Sequence, residues 1–241
     1  MKQAILFDFW QTLFHDMKER ETFEARKQLV KTFLTEREYY DPANSVDEAF
    51  EASRPWFLDI YHREQRTPIV SERLTWVFDQ LGVPIDTKSF AHLSQEFEEM
   101  GLMLDPKLTE NLPPVLEQLS RDYLLGIVSD TGYTPGRVLR KHMQAHGVLD
   151  YFSAFSFSDE TGRAKPHALQ FENVMNKLGV DPSNAIHCGD LPTHDVRGAK
   201  ALGITSVLYT GCHAETTNGY EPDFIVSDWR ELPAVVRKVF A

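Results

Sequence analysis

Residues Gln3–Leu13 read QAILFDFWQTL, a short apolar run that stops at Asp8 and continues into a turn containing Thr12. A run of this length favours a buried parallel strand. An aspartate at its C-terminal end would project into the crevice where open α/β sheets bind ligands. In that position Asp8 could serve as a covalent nucleophile or as a metal ligand. Taken alone, the segment is equally compatible with an aspartate that merely opens a turn.

The C-terminal half of the sequence alternates between strand-like and helical patterns. This alternation predicts an α/β fold, with a doubly wound, Rossmann-like parallel sheet. The predicted strands are Tyr123–Val128, Phe152–Phe157, Ala185–Cys188, Ile204–Leu208 and Phe224–Val226. The predicted helices are Pro135–Ala145, His167–Leu178, Asp195–Leu202 and Glu231–Phe240.

The segment between the first strand and about residue 101 is charged and has helical periodicity without strand-like runs. We therefore predict an all-helical cap domain over residues 15–101, inserted into an α/β core domain formed by residues 1–14 and 102–241. The sheet is expected to resume near Leu102–Leu119. A cap over the C-terminal end of the first strand could exclude water and select substrates.

The amino-acid composition argues against some classes of function for this chain. The chain has 241 residues and a formal net charge of −11, which disfavours binding to nucleic acid or to a membrane surface. An anionic substrate would need local positive charge from a metal ion or a buried lysine. Two cysteines and no apolar run of transmembrane length predict a cytoplasmic protein. We expect a monomer or homodimer.

Four separated signals could carry chemistry. They are Asp8 with Thr12, Ser129 at the end of YLLGIVS, Lys165 before Pro166 in GRAKPHALQF, and the pair Asp190 and Asp195 in GDLPTHD. Each has an ordinary structural reading: a turn, a helix cap, a solvated loop lysine and an acidic helix start. We place Pro166 at the first helical position.

Four motifs occur in this order, each after a strand: FDxxxTL, a hydrophobic run ending in Ser, KP, and GDxxxxD followed by GAKALG. Together they resemble the motifs of the haloacid dehalogenase-like hydrolase superfamily. The resemblance covers about Met1–Leu13 and Leu102–Phe240. The insertion resembles the helical cap of that family's most common subclass. The resemblance to this family implies a small phosphorylated substrate and a Mg²⁺ cofactor.

The resemblance also implies roles for individual residues. Asp8 would attack phosphorus and form an aspartyl-phosphate. Mg²⁺ would be held by the Asp8 carboxylate, the backbone carbonyl of Trp10 and the Asp190 side chain. Asp195 would either join the outer shell of the metal or orient the catalytic lysine.

The remaining implied roles concern the phosphoryl group. Ser129 would donate a hydrogen bond to it, and Lys165 would neutralise its charge. Thr12 and Asp130 are further candidates for substrate binding. Positive charge is required because an anionic nucleophile must approach an anionic phosphate.

The sequence departs from the phosphatase pattern at Trp10. Phosphatases of this family usually carry there a second aspartate, which protonates the leaving oxygen. Loss of general acid–base help lowers a rate by roughly 10² to 10⁴. Three functions stay open: a Mg²⁺-dependent phosphatase that is slow or restricted to good leaving groups, a metal-independent 2-haloacid dehalogenase, and a non-catalytic relative that binds a phosphorylated ligand or a partner.

Other polar residues are interpreted as structural or as secondary candidates. His187, the pair His142 and His146, and the neighbours Cys212 and His213 show no complete metal-ligand spacing. The candidate anion-binding residues of the cap are Arg54, Arg63, Arg66 and Arg73.

Overall fold

The computed structural model describes residues 2–39 and 45–241. Met1, in the predicted core, and residues 40–44, in the predicted cap, lie outside the described residues. The strands of the described chain are β1 (Ala4–Phe7), β2 (Phe14–His15), β3 (Lys107–Leu108), β4 (Leu124–Ser129), β5 (Phe152–Phe157), β6 (Ala185–Gly189), β7 (Thr205–Tyr209) and β8 (Phe224–Val226).

Six of these strands form a sheet in the order β5-β4-β1-β6-β7-β8, in which every neighbouring pair is parallel. The chain adds β4 and β5 on one side of β1, then crosses to add β6, β7 and β8 on the other side. The strand order therefore changes direction between β1 and β6, the kind of point at which open α/β sheets bind ligands.

The helices are α1 (Glu19–Thr35), α2 (Ser45–Glu64), α3 (Val70–Leu81), α4 (Thr87–Glu99), α5 (Leu112–Leu119), α6 (Gly136–Ala145), α7 (Ser158–Thr161), α8 (Ala168–Leu178), α9 (Arg197–Ala201) and α10 (Leu232–Val239). Short 3₁₀ turns cover Met100–Leu104, Leu149–Tyr151, Pro182–Asn184 and Trp229–Glu231, and a π-helical turn covers Pro192–Val196.

The first strand is apolar throughout because both of its faces are covered. Ile5 and Phe7 pack in one buried cluster with side chains of α5, α6 and α10. Ala4 and Leu6 point the other way, into a cluster with side chains of α8 and α9. Successive residues of a strand face opposite sides of the sheet, so helices on both faces require a continuous apolar run. The predicted doubly wound α/β fold is confirmed.

Two local predictions were wrong. The main sheet does not resume over Leu102–Leu119, because that stretch contains a 3₁₀ turn, the short β3 and helix α5. β3 pairs antiparallel with β2 in a separate two-stranded ribbon. Pro166 does not occupy the first helical position, because α8 begins at Ala168 and His167 caps it.

The segment between β2 and β3 is helical, as α1 to α4 show. Its aromatic residues form the centre of a helical bundle: Phe50 stacks on Phe97 at 5.9 Å and meets Phe23 edge-to-face. Arg26 of α1 joins this bundle to the loop after β4, since its guanidinium donates to the Tyr133 carbonyl and to the Thr134 hydroxyl. The division of the chain at residues 14, 15, 101 and 102 stays a prediction.

Within the described parts of the chain, we find no helix both long and apolar enough to span a bilayer.

Candidate functional site

The end of the sheet brings three aspartates together. Asp8 follows β1, Asp190 follows the neighbouring β6, and Asp195 lies in the π-helical turn after β6. One carboxylate oxygen from each lies within 4.8 Å of the others. The Thr12 hydroxyl is 3.5 Å from both Asp8 Oδ2 and Asp190 Oδ1. The first and fourth sequence signals therefore meet at one place.

Asp195 is held by donors on all sides. Its Oδ1 accepts hydrogen bonds from Lys165 Nζ at 2.7 Å and from His187 Nε2 at 2.8 Å, while its Oδ2 accepts from the Leu191 amide at 3.0 Å. A Cβ atom on Gly189 would lie 2.1 Å from Asp195 Cγ, so only glycine fits there. Of its two expected roles, in the outer shell of the metal or in orienting the lysine, the direct contact with Lys165 favours the second.

Lys165 reaches into the centre of the site from the loop between α7 and α8. Its ammonium group donates to Asp8 Oδ1 at 2.5 Å as well as to Asp195, and the side chain is buried. Burial alone would lower the pKa of Lys165, but Asp195, Asp8 and Asp130 outweigh it and hold that pKa well above its ordinary value. Lys165 is therefore a fixed positive charge beside Asp8.

The pKa values of the three carboxyl groups shift differently, although all three groups are buried. Burial, followed by the charges of Asp8 and Asp195, raises the pKa of Asp190 to about 8. Burial also raises the pKa of Asp8, although Lys165 opposes it. At Asp195, Lys165 and His187 overcome the effect of burial and hold the pKa well below its usual range.

Negative charge exceeds positive charge at this site. Among the described residues, Lys165 provides the one ammonium group in contact with these carboxylates, and it pairs with Asp8 and Asp195 only. Asp190 has neither lysine nor arginine as a partner in the described chain; His213 Nε2 lies 3.3 Å from its Oδ2. Buried carboxylates without a counter-charge are costly, and oxygen donors in this number suit a hard divalent cation. The donor set therefore fits a metal ion.

Ser129 is the last residue of β4, the strand that pairs with β1, and Asp130 follows it. Ser129 is fully buried, and its hydroxyl donates to the Asp130 carbonyl at 3.3 Å. Asp130 Oδ1 accepts from the Lys165 backbone amide at 2.9 Å, so this side chain fixes the loop that carries the lysine. Burial raises the pKa of Asp130 to about 6. Ser129 thus lies at the end of the strand that pairs with β1, and Asp130 contacts the loop that carries Lys165.

Tyr61 of α2 was missed by the sequence analysis. Its hydroxyl donates to Asp130 Oδ2 at 2.7 Å, and its ring stacks on His194 at 5.5 Å. Burial and the neighbouring Asp130 raise the pKa of Tyr61, whereas burial lowers the pKa of His194 to about 4. The helical insertion therefore contacts the site directly. Nothing in the segment around Tyr61 distinguishes it from other aromatic residues of an amphipathic helix.

Two histidines interpreted as structural also contact the site. His187 is buried, as expected within a strand, yet it donates to Asp195. His213 lies beside Asp190 because the loop after β7 turns back over the end of β6. Their sequence neighbours carry no metal-ligand spacing, so three-dimensional proximity was the only available signal.

The structural reading of His142 and His146 agrees with their contacts. His142 Nε2 is 3.0 Å from the Gly101 carbonyl, and His146 Nδ1 is 2.9 Å from the His142 carbonyl. Burial lowers the pKa of His142.

Trp10, at the position of the usual second aspartate, belongs to the margin of the apolar core. It is half-buried, and its ring meets Phe9 edge-to-face at 4.8 Å. The next residue, Gln11, adopts a left-handed conformation with φ of 55°. Trp10 therefore brings no carboxylate to the site.

Comparisons with known proteins agree on the family. Residues 2–203 match the model of the haloacid dehalogenase-like hydrolases. The chain is 25% identical to the glyceraldehyde 3-phosphate phosphatase of Methanopyrus kandleri, with 99% of each chain covered.

Solved structures show the same fold. One is a HAD phosphatase from Thermococcus onnurineus, with a TM-score of 0.64, 23% identity and 98% of each chain covered. Another is a 2-haloacid dehalogenase from Pseudomonas syringae pv. tomato DC3000, with a TM-score of 0.71, 20% identity and full coverage of both chains. At these sequence identities, the solved structures are evidence for the fold alone. The match to the family model extends over most of the sequence and is evidence for the family. The chain belongs to the haloacid dehalogenase-like hydrolases and is a hydrolase.

Proposed function

We propose that this hydrolase is a Mg²⁺-dependent phosphatase that acts on a small phosphorylated metabolite through an aspartyl-phosphate at Asp8. The observation that carries the proposal is the ammonium group of Lys165, which lies between Asp8 and Asp195 in a cluster of carboxyl groups that also includes Asp190. The relative from Methanopyrus kandleri, named for its action on glyceraldehyde 3-phosphate, supports a phosphate ester as the substrate.

Asp8, Asp190 and the backbone carbonyl of Trp10 are the groups that would hold Mg²⁺. The ion would offset the negative charge that a phosphate dianion adds to a site already rich in carboxylates. The raised pKa of Asp190 supports this assignment, because a cation beside it would favour the ionised form.

The protein groups have separate tasks in the first step. A carboxylate oxygen of Asp8 forms a bond to phosphorus, and the bond to the leaving oxygen breaks with its electron pair. Lys165 offsets the charge on the phosphoryl oxygens, while the Ser129 hydroxyl donates to one of them. Asp195 and Asp130 fix the lysine by accepting from its side chain and its backbone amide. Water then hydrolyses the aspartyl-phosphate.

Proton supply limits the choice of substrate. An indole at position 10 cannot protonate the leaving oxygen. We therefore propose that hydrolysis is slow for alkyl phosphates and faster for acyl or aryl phosphates, whose leaving groups are stable without a proton. We also propose that the protein works in a reducing, cytoplasmic environment, in which Cys188 and Cys212 stay free.

The test is hydrolysis of acetyl phosphate and para-nitrophenyl phosphate, with Mg²⁺ and with EDTA. We expect activity that requires Mg²⁺ and disappears in Asp8→Asn but persists in Asp122→Asn, a matched change at an exposed position. Halide release from a 2-haloacid in EDTA would instead identify a dehalogenase. Absence of both activities, with a thermal shift on adding a phosphorylated ligand, would identify a binding protein.

A further inference from the structure

Arg73 of α3 is a buried cation whose surroundings differ from those of the other cap arginines. Only 8% of the residue is exposed. Its Nε donates to the Ser53 hydroxyl at 3.0 Å. Its guanidinium lies over the Tyr133 ring at 4.0 Å and over the Phe57 ring at 4.9 Å. Within residues 2–39 and 45–241, we find no carboxylate paired with it.

The neighbouring arginines are satisfied within the protein. Arg63 and Arg66 form ion pairs near the surface with acidic side chains. Arg26 is also buried, but it donates to two carbonyls and a hydroxyl in the described chain. For the terminal nitrogens of Arg73, the described residues provide no hydrogen-bond acceptor. A buried charge without a counter-charge or a full set of acceptors is costly. This cost indicates that an anion from outside the chain binds to Arg73.

A second polar group beside Arg73 also lacks a partner. The hydroxyl of Tyr133 is buried and makes no hydrogen bond within the described chain, although Ser53 lies next to it. Arg54, an exposed residue of α2, lies close enough to Arg73 to lower the pKa of that guanidinium. Two guanidinium groups and a free hydroxyl donor therefore lie together in a protein of strongly negative net charge.

Side-chain contacts connect this cluster with the site of the aspartates. Phe57, under Arg73, stacks on Tyr61 one helical turn further along α2. Tyr61 in turn donates to Asp130 at the edge of the site. Tyr133 also follows Asp130 by three residues in the loop after β4. A chain of contacts through Phe57 and Tyr61 thus connects Arg73 with Asp130.

We propose that Arg73 and the Tyr133 hydroxyl bind a second anionic group of the substrate. The preferred substrates are then phosphate esters that also carry a carboxylate or a second phosphate. The inference rests on the proposed function for the end of the molecule that reacts, and on Arg73 for the end that is recognised. A carboxylate is planar and a phosphate is tetrahedral, and a guanidinium group can bind the oxygen atoms of either through paired hydrogen bonds.

The test measures binding rather than turnover. Asp8→Asn protein with Mg²⁺ is titrated calorimetrically with ethyl phosphate, 2-phosphoglycolate and 1,3-propanediol bisphosphate. We expect the ligand with the matching second anion to bind about 10- to 100-fold more tightly than ethyl phosphate, as for hydrogen bonds between charged groups. The two ligands with a second anionic group distinguish a carboxylate from a second phosphate.

Adding Arg73→Gln should bring the affinity ratio close to one, and Arg73→Lys should restore part of it. Adding Arg63→Gln, at an exposed arginine of the same cap, should leave the ratio unchanged. Circular dichroism and the melting temperature establish that each variant is folded. An equal affinity for all three ligands, or a ratio that Arg73→Gln and Arg73→Lys leave intact, overturns the inference.

Turnover of acetyl phosphate, which has no second anion, separates the two proposals. A protein that hydrolyses acetyl phosphate but shows no affinity ratio keeps the proposed function and loses this inference. A protein that binds a ligand with a second anionic group through Arg73 but hydrolyses no phosphate keeps the inference and loses the proposed function.

Discussion

Replacing Asp190 with asparagine should stabilise the metal-free protein at neutral and alkaline pH. Burial and the charges of Asp8 and Asp195 raise the pKa of Asp190 to about 8, from an ordinary value of 3.8. The folded protein therefore keeps a proton on Asp190 that the unfolded chain releases above about pH 4. Asparagine has nearly the same shape and cannot ionise.

The sign and size of the effect follow from proton binding. Between the two pKa values the folded state holds one proton more than the unfolded state. The free energy of unfolding of the wild type therefore falls as pH rises, by about 1.4 kcal/mol per pH unit from this group. At pH 7 the loss, relative to acidic conditions below both pKa values, is on the order of 4 kcal/mol. Asp190→Asn lacks this contribution.

Urea unfolding followed by circular dichroism in EDTA, from about pH 5 to 8.5, measures the difference between the two proteins. We expect the advantage of Asp190→Asn to grow with pH across the range, while the exposed Asp122→Asn tracks the wild type. Mg²⁺ should then raise the melting temperature of the wild type much more than that of Asp190→Asn. A difference in free energy that does not vary with pH would refute the reasoning.

Three further substitutions test other parts of the site. Trp10→Asp should raise kcat/KM for an alkyl phosphate by up to about 10²-fold and hardly change that for acetyl phosphate; steady-state kinetics on both substrates decide. Lys165→Met should lower phosphatase kcat by about 10²-fold or more, since a preorganised positive charge is lost; equal rates in both proteins would remove Lys165 from catalysis. Gly189→Ala should destabilise the fold by about 1–3 kcal/mol, because the added methyl group overlaps Asp195; urea unfolding measures it, and unchanged stability would contradict the close approach.

The fold and much of the site were predictable because the relevant signals are local in sequence. An apolar run such as Ala4–Phe7 requires cover on both faces. Polar side chains at the ends of neighbouring parallel strands must meet at one edge of the sheet. For this reason Asp8, Ser129 and Asp190 could be placed together without coordinates.

The remainder depends on contacts between distant segments. Tyr61 lies 69 residues before Asp130, its hydrogen-bond partner. His213 reaches Asp190 only through the path of a loop. The buried state of Arg73 follows from packing of α3 against α2 and the loop after β4. Charged residues in an amphipathic helix have no local mark that separates a buried arginine from a solvated one.

The loop after β4 is attached at both of its ends. Asp130 begins it at the candidate site, directly after Ser129, and Arg26 of α1 holds Tyr133 and Thr134 a few residues later. Rotation of the helical bundle would therefore pull on the same stretch of backbone that aims the serine hydroxyl. Because Arg26 connects α1 to this loop, we expect substitutions deep in α1 to alter turnover without any contact with the reacting molecule.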